Sequence, residues 1–116
     1  MSLKKEEQTI DIRKRLSIEI CNNFVKRLNP LQSKEIKIGA LIAIKNLIKE
    51  SNINDPFLYS YLVDTITDPE KETRNYVIKI IKEITNPEIV ELLEMKVNDS
   101  SIEIKKEIKK LLQELK

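Results

Sequence analysis

Residues 56–84, PFLYSYLVDTITDPEKETRNYVIKIIKEI, and residues 87–115, PEIVELLEMKVNDSSIEIKKEIKKLLQEL, are near-copies of one another. Shifted by 31 positions, Pro56, Leu58, Tyr61, Leu62, Ile66, Asp68, Arg74, Ile81 and Ile84 fall on Pro87, Ile89, Leu92, Leu93, Val97, Asp99, Lys105, Leu112 and Leu115. Each pair keeps its chemical character. A fixed period of this length implies units that lack a complete core and bury their apolar faces on their neighbours. Toward the N-terminus, a shift of 37 sets Lys37, Ala40, Ile44 and Leu47 on Arg74, Val77, Ile81 and Ile84, and Cys21 on Leu58. The six additional residues fall around Ser51 to Asn54.

Four Asx-proline pairs punctuate the chain: Asn29-Pro30, Asp55-Pro56, Asp68-Pro69 and Asn86-Pro87. An Asx side chain caps orphan backbone N–H groups and proline tolerates the first helical position, so each pair reads as a helix boundary. Between them, apolar residues recur at spacings of three and four. Ile36, Ala40, Ala43, Ile44 and Leu47 form one stripe, Val77, Ile80, Ile81 and Ile84 a second, and Ile104, Ile108, Leu111, Leu112 and Leu115 a third. Upstream, residues 3–28 read either as one long helix or as two short ones broken near Ser17. Composition agrees with helix: glycine occurs once and proline four times among 116 residues, while Lys, Glu, Leu and Ile dominate. That isoleucine-rich, doubly charged composition resembles proteins of AT-rich or high-temperature genomes.

The same composition removes classes of function. There is no histidine, so Ser-His-Asp and Cys-His chemistries are excluded. The single Cys21 forms neither an internal disulfide nor a thiolate zinc site, and reads as a small buried hydrophobe in a reducing interior. Glu88, Glu91 and Glu94 repeat every third residue, but a carboxylate-bridged metal centre needs a Glu-x-x-His partner that the chain lacks; they read as a solvated helix face. No metal or cofactor is expected. The net charge of +2 is far from that of a dedicated nucleic-acid binder. No signal-like or membrane-spanning run is present, so the expectation is a cytoplasmic protein with no membrane partner.

Each second helix of a unit follows one pattern: apolar, basic, two variable, small or apolar, two variable, two apolar, two variable, apolar. It is carried by Ile36-Lys37 through Leu47, Thr73-Arg74 through Ile84, and Ile104-Lys105 through Leu115. This resembles HEAT repeats, including the short HEAT-like form found in phycobilin lyase-type proteins, over residues 17–116. The resemblance implies an all-α fold, a right-handed α-α superhelix of about three helix pairs, with units near 17–50, 55–84 and 86–116. Residues 1–16, with Ile10, Ile12 and Leu16, then serve as an N-terminal cap or helix extension. The family pattern also has an aspartate between paired helices and an arginine early in the second, laddering between units. Asp68 with Arg74 and Asp99 with Lys105 fit it. The first unit departs, with Leu31 where the aspartate should be and Lys37 in place of arginine.

Second helices are net basic. Residues 33–50 hold four Lys against two Glu, 69–84 four basic residues against three Glu, and 101–116 five Lys against three Glu. Residues 55–67, with Asp55 and Asp64 alone, and 85–98, with three Glu against one Lys, the first helices of the second and third units, are net acidic. In HEAT-like solenoids the second helices line the concave surface, which would here carry Lys45, Lys49, Arg74, Lys79, Lys82, Lys105, Lys106, Lys109 and Lys110. Gly39, Tyr76 and Glu107 occupy one equivalent position, and Tyr76 beside Arg74 and Lys79 is a candidate hot spot on the open side of its helix. Ile38 and Ile42 stand where the other units have Asn75 and Lys79, or Lys106 and Lys110. That apolar pair is expected to be covered by residues 10–16, or else to anchor a partner or a homodimer.

These residues lead to the expectation of a non-catalytic protein-binding scaffold or adaptor using the second-helix face. The alternative is nucleic-acid backbone binding through the same cations, as some alkylated-base DNA glycosylases are built from HEAT-like repeats. With 4% aromatics and no Trp, the chain has little with which to stack a base. A third class is a subunit of a larger helical assembly.

Overall fold

All four Asx-proline pairs fold the same way locally. Asn29 Oδ1 accepts from the Leu31 N–H (2.9 Å), Asp55 Oδ1 from Phe57 (2.9 Å), Asp68 Oδ2 from Glu70 (2.9 Å) and Asn86 Oδ1 from Glu88 (2.7 Å). Each is an Asx turn, in which the side chain takes the N–H two residues on. A computed structural model of the protein describes residues 17–98 and 100–115, and over these it is all α-helical with no strand. The helices are α1 (Ile18–Arg27), α2 (Lys34–Lys49), α3 (Pro56–Thr65), α4 (Lys71–Ile84), α5 (Pro87–Asn98) and α6 (Ile102–Leu115). The N-terminal segment 1–16, with Ile10, Ile12 and Leu16, and the ladder residue Asp99 lie outside the described residues.

Only two of the Asx-proline pairs open a helix directly, α3 at Pro56 and α5 at Pro87. After Asn29-Pro30 and Asp68-Pro69 the helix starts later, at Lys34 and Lys71, and in the first of these a serine takes over the capping. Ser33 Oγ accepts from the Ile36 N–H (3.4 Å) and Ser101 Oγ from Ile104 (3.4 Å), as Ser17 Oγ does from Ile20 (3.2 Å) at the start of α1. The position equivalent to Ser33 and Ser101 in the middle unit is Glu70, which makes no side-chain cap bond. Glu70→Ser is therefore expected to stabilise the protein by about 1 kcal/mol, the usual worth of an N-cap, read as a raised urea midpoint.

Helix α3 is the centre of the packing, because it touches α1, α2, α4 and α5. Its sequence suits burial from both sides: Leu58, Tyr59, Leu62 and Val63 are all at most 2% exposed. Burying a side chain of this size contributes roughly 1.5–3 kcal/mol. Tyr59 keeps its polar end satisfied there, donating from its hydroxyl to Asn54 Oδ1 (3.1 Å) and accepting from Asn86 Nδ2 (3.4 Å), so one phenol ties together the loops before α3 and α5. Further contacts join α1 to α2, α2 to α4 and α5 to α6. All of these join helices one or two apart in chain order. Between α2 and α3, Asn52 adopts a left-handed backbone (φ 53°) and Ile53 folds back against the core, its N–H bonding the Leu47 carbonyl (3.1 Å).

The α2 stripe differs from the periodicity. Ile36 is exposed and Ala43 and Leu47 are half-buried, whereas Lys37, Ala40, Leu41, Ile44 and Ile48 are buried. The buried face is rotated toward Lys37, because that lysine enters the interior to meet a carboxylate of the next helix pair. In α4, Val77, Ile80 and Ile81 are buried, with Ile84 half-buried; in α6, Ile108 and Leu111 are buried, with Ile104, Leu112 and Leu115 half-buried. Cys21 is half-buried and not a core residue. Thr73 is fully buried with no hydrogen-bond partner for its hydroxyl among the described residues. The equivalent positions are Ile36 and Ile104, so Thr73→Val removes an orphan hydroxyl at nearly constant volume. It is expected to raise stability by about 1 kcal/mol, checked by calorimetry.

Candidate functional site: the face shared by α2, α4 and α6

The deepest charged contact starts on α2. Lys37 Nζ donates to Asp68 Oδ2 (3.0 Å), Asp68 Oδ1 (3.2 Å) and the Pro30 carbonyl (3.1 Å), with side-chain exposures of 3% for Lys37 and 2% for Asp68. One cation thus ties its own interhelix loop to that of the next helix pair. Arg74 repeats the first half of this arrangement, donating from Nη1 to the Asp68 (2.8 Å) and Pro69 (3.1 Å) carbonyls of its own loop. The Asp68 carboxylate is therefore paired with Lys37, not with Arg74, which meets Asp68 only at the backbone. Across the unit boundary Arg74 Nε lies 3.6 Å from Glu107 Oε2. Lys105, the third member of the series, is half-buried. Arg74 is buried, so it acts inside the wall and not as a surface cation.

Surface charges extend the same wall. Lys34 pairs with Glu72 (2.8 Å), and Lys45 (3.9 Å) and Lys49 (3.5 Å) converge on Glu83, all between α2 and α4. Lys82 pairs with Glu114 between α4 and α6. The Lys82 ammonium, first by its hydrogen bond and then by its charge, holds the Glu114 carboxyl below its ordinary value, while Glu72 raises Lys34. On the other side of the molecule, Lys96 of α5 reaches Asp64 of α3 (3.1 Å). Exposed pairs of this kind are individually weak because solvent screens them, but they fix the lateral register of the helices.

This pairing divides the cations expected on the face. Lys45, Lys49 and Lys82 are engaged with glutamates of the adjoining helix. Among the described residues, Lys79, Lys106, Lys109 and Lys110 have no carboxylate within ion-pair distance, and all four are exposed. The free positive charge therefore gathers toward α6. At the opposite end Ile42 is 39% exposed and Ile38 half-buried. Tyr76 is half-buried and packs against the core, so it is less available than its position beside Arg74 and Lys79 suggests. Glu88, Glu91 and Glu94 are exposed on α5, and among the described residues no group of three or more Cys, Asp or Glu is placed to hold a metal ion. No helix among them is long and apolar enough to cross a membrane.

Gly39 lies on α2 beside Ile38, and a Cβ there would meet nothing within 4 Å. Gly39→Ala is accordingly expected to stabilise the helix by up to about 1 kcal/mol, visible as a higher melting temperature with an unchanged circular dichroism spectrum.

Two recesses have no counterpart in the sequence-based expectations. One, of about 270 Å3, lies on this face between α4 and α6, with Asn75, Ile78 and Lys82 opposite Glu107, Lys110 and Leu111. The other, of about 360 Å3, opens between the end of α1 and α3, against Val25, Leu28, Pro30, Tyr61 and Thr65. Burial, with a contribution from the Cys21 thiol, pushes the Tyr61 phenol beside it up to about 12. Both recesses are formed by side chains of different repeat units, so only the repeat register pointed to them. Comparison with protein-family models, with curated proteins and with solved structures finds no match.

Proposed function

We propose that the chain is a short HEAT-like α-α solenoid of about three helix pairs whose second helices form a concave surface that binds another protein, without catalysis. The observation that carries this reading is the wall built by α2, α4 and α6, in which ion pairs between adjacent helices hold a surface that still leaves Ile42 and four lysines open. The main packing joins helices one or two apart, which supports a stacked row. The absence of histidine from the sequence supports a binding role over acid-base chemistry. A rigid scaffold lets apolar anchors provide affinity while surrounding charges orient the partner. Nucleic acid is the weaker candidate, since Glu72, Glu83, Glu107 and Glu114 alternate with the cations along the same wall and reduce its attraction for phosphate.

The test is affinity capture from extract of the source organism with the wild-type chain and with Ile42→Glu. A protein retained by the first and lost with the second is the expected result. Retention of nucleic acid alone, released steeply by salt, would replace this reading with backbone binding.

A further inference from the structure

The ion pairs fix which residues of the three second helices stand side by side. Lys34–Glu72 and Lys45–Glu83 join residues 38 apart and Lys49–Glu83 residues 34 apart across α2 and α4, while Arg74–Glu107 and Lys82–Glu114 join residues 33 and 32 apart across α4 and α6. These separations lie within three residues of the sequence repeat. Ile38, Asn75 and Lys106 therefore form one row across the wall, and Ile42, Lys79 and Lys110 the next. On α2, Lys34, Ile38, Ile42, Lys45 and Lys49 follow one another at spacings of three and four, so the isoleucines share the stripe whose lysines bridge to α4. Each row changes in the same sense, from isoleucine through a mixed middle to lysine.

Resting on the protein-binding reading above, we infer that the wall takes a polypeptide segment in one direction, its aliphatic residues on Ile38 and Ile42 and its carboxylates on Lys106 and Lys110. The polarity of the rows gives the partner's chemistry. An aliphatic side chain gains by covering Ile42 and gains nothing over Lys106. A carboxylate finds cations without ion-pair partners only toward α6, since those of α2 are already paired. A phosphodiester chain has charge along its whole length and no use for the isoleucine end. Packed helices lie about 8–10 Å apart, and α4 and α6 are bridged by ion pairs across their recess, so a row spans at least roughly 20 Å, the reach of about 6 extended or about 13 helical residues.

The test is selection of a displayed library of random 16-residue peptides on the full chain. The expected peptides carry an aliphatic cluster at one end and an acidic cluster at the other. Their affinity falls at least about tenfold, the scale of a single hot spot, with Ile42→Glu and with Lys106→Glu plus Lys110→Glu, but not with Lys26→Glu on α1. Selection on the Lys106→Glu plus Lys110→Glu protein should return peptides with the same aliphatic end and a basic cluster in place of the acidic one. Selected peptides that lack this segregation, or that ignore both substitutions, overturn the inference and leave protein binding standing. A dimer that Ile42→Glu abolishes, with no peptide sensitive to Ile42, also overturns it and assigns the isoleucines to a second copy. No enriched peptide at all, with or without salt-sensitive binding of a 20-base-pair duplex, removes both the inference and the reading beneath it.

Discussion

Lys37→Met is expected to cost about 3–5 kcal/mol, the penalty for leaving a buried charge without its partner. The cost comes from what stays behind. Asp68 is 4% exposed as a residue, and without Lys37 its carboxylate retains, among the contacts described, only the Glu70 N–H. The Pro30 carbonyl loses its donor as well. Methionine preserves most of the volume, so the loss reports electrostatics and hydrogen bonding and not a cavity. Urea unfolding followed at 222 nm reads the difference directly. Adding Asp68→Asn should restore part of it, because the neutral amide keeps an acceptor for Glu70 while removing the stranded charge; the double variant is then more stable than the sum of the single effects predicts. Salt separates this pair from the others: 1 M NaCl should leave the Lys37 penalty nearly intact while erasing the contribution of exposed pairs such as Lys34–Glu72. A cost below about 1 kcal/mol would mean that the Asp68 carboxylate finds water or another cation, and that the Lys37–Asp68 pair is not what joins the first two helix pairs.

Lys37 also shows where local reading of the sequence stops. A period of 3.6 residues treats lysine as an outward position and so places the α2 stripe on Ile36 and Leu47, whereas Lys37 and Ile48 are the buried residues. What buries Lys37 is an aspartate 31 residues later, a relation that helical periodicity does not contain. The repeat register does contain it, since Lys37 aligns with Arg74 and Lys105, but the HEAT-like pattern pairs Asp68 with Arg74 and not with Lys37. Helix existence was legible because apolar spacing and Asx-proline chemistry are local. The late starts of α2 and α4 were less so, as both an Asx turn and a serine or glutamate cap position lay within the same few residues. On the candidate face, the isoleucine and lysine positions followed from aligning the units. The pairing of Lys45, Lys49 and Lys82 with glutamates one helix away did not, because it depends on lateral register that only packing sets.

Two truncations of equal chemistry should behave differently if the helices are stacked in a row. Leu62→Ala in α3 and Ile108→Ala in α6 each empty a position that is 0% exposed, and each should cost about 2–5 kcal/mol locally. Leu62 belongs to the helix that touches α1, α2, α4 and α5, so its loss weakens the packing against all four at once. Backbone amide protection is then expected to fall throughout the chain. Ile108 belongs to a helix held by α5 and, through Arg74–Glu107 and Lys82–Glu114, by α4. Its loss is expected to expose α5 and α6 to exchange while α2 and α3 keep their protection, since in a linear array each unit is stabilised by its neighbours alone. A closed bundle would respond otherwise, because every helix there shares one core and Ile108→Ala would lower protection in all of them together. Hydrogen exchange that falls uniformly in both variants would therefore remove the stacked row, and with it the continuous wall on which partner binding has been placed.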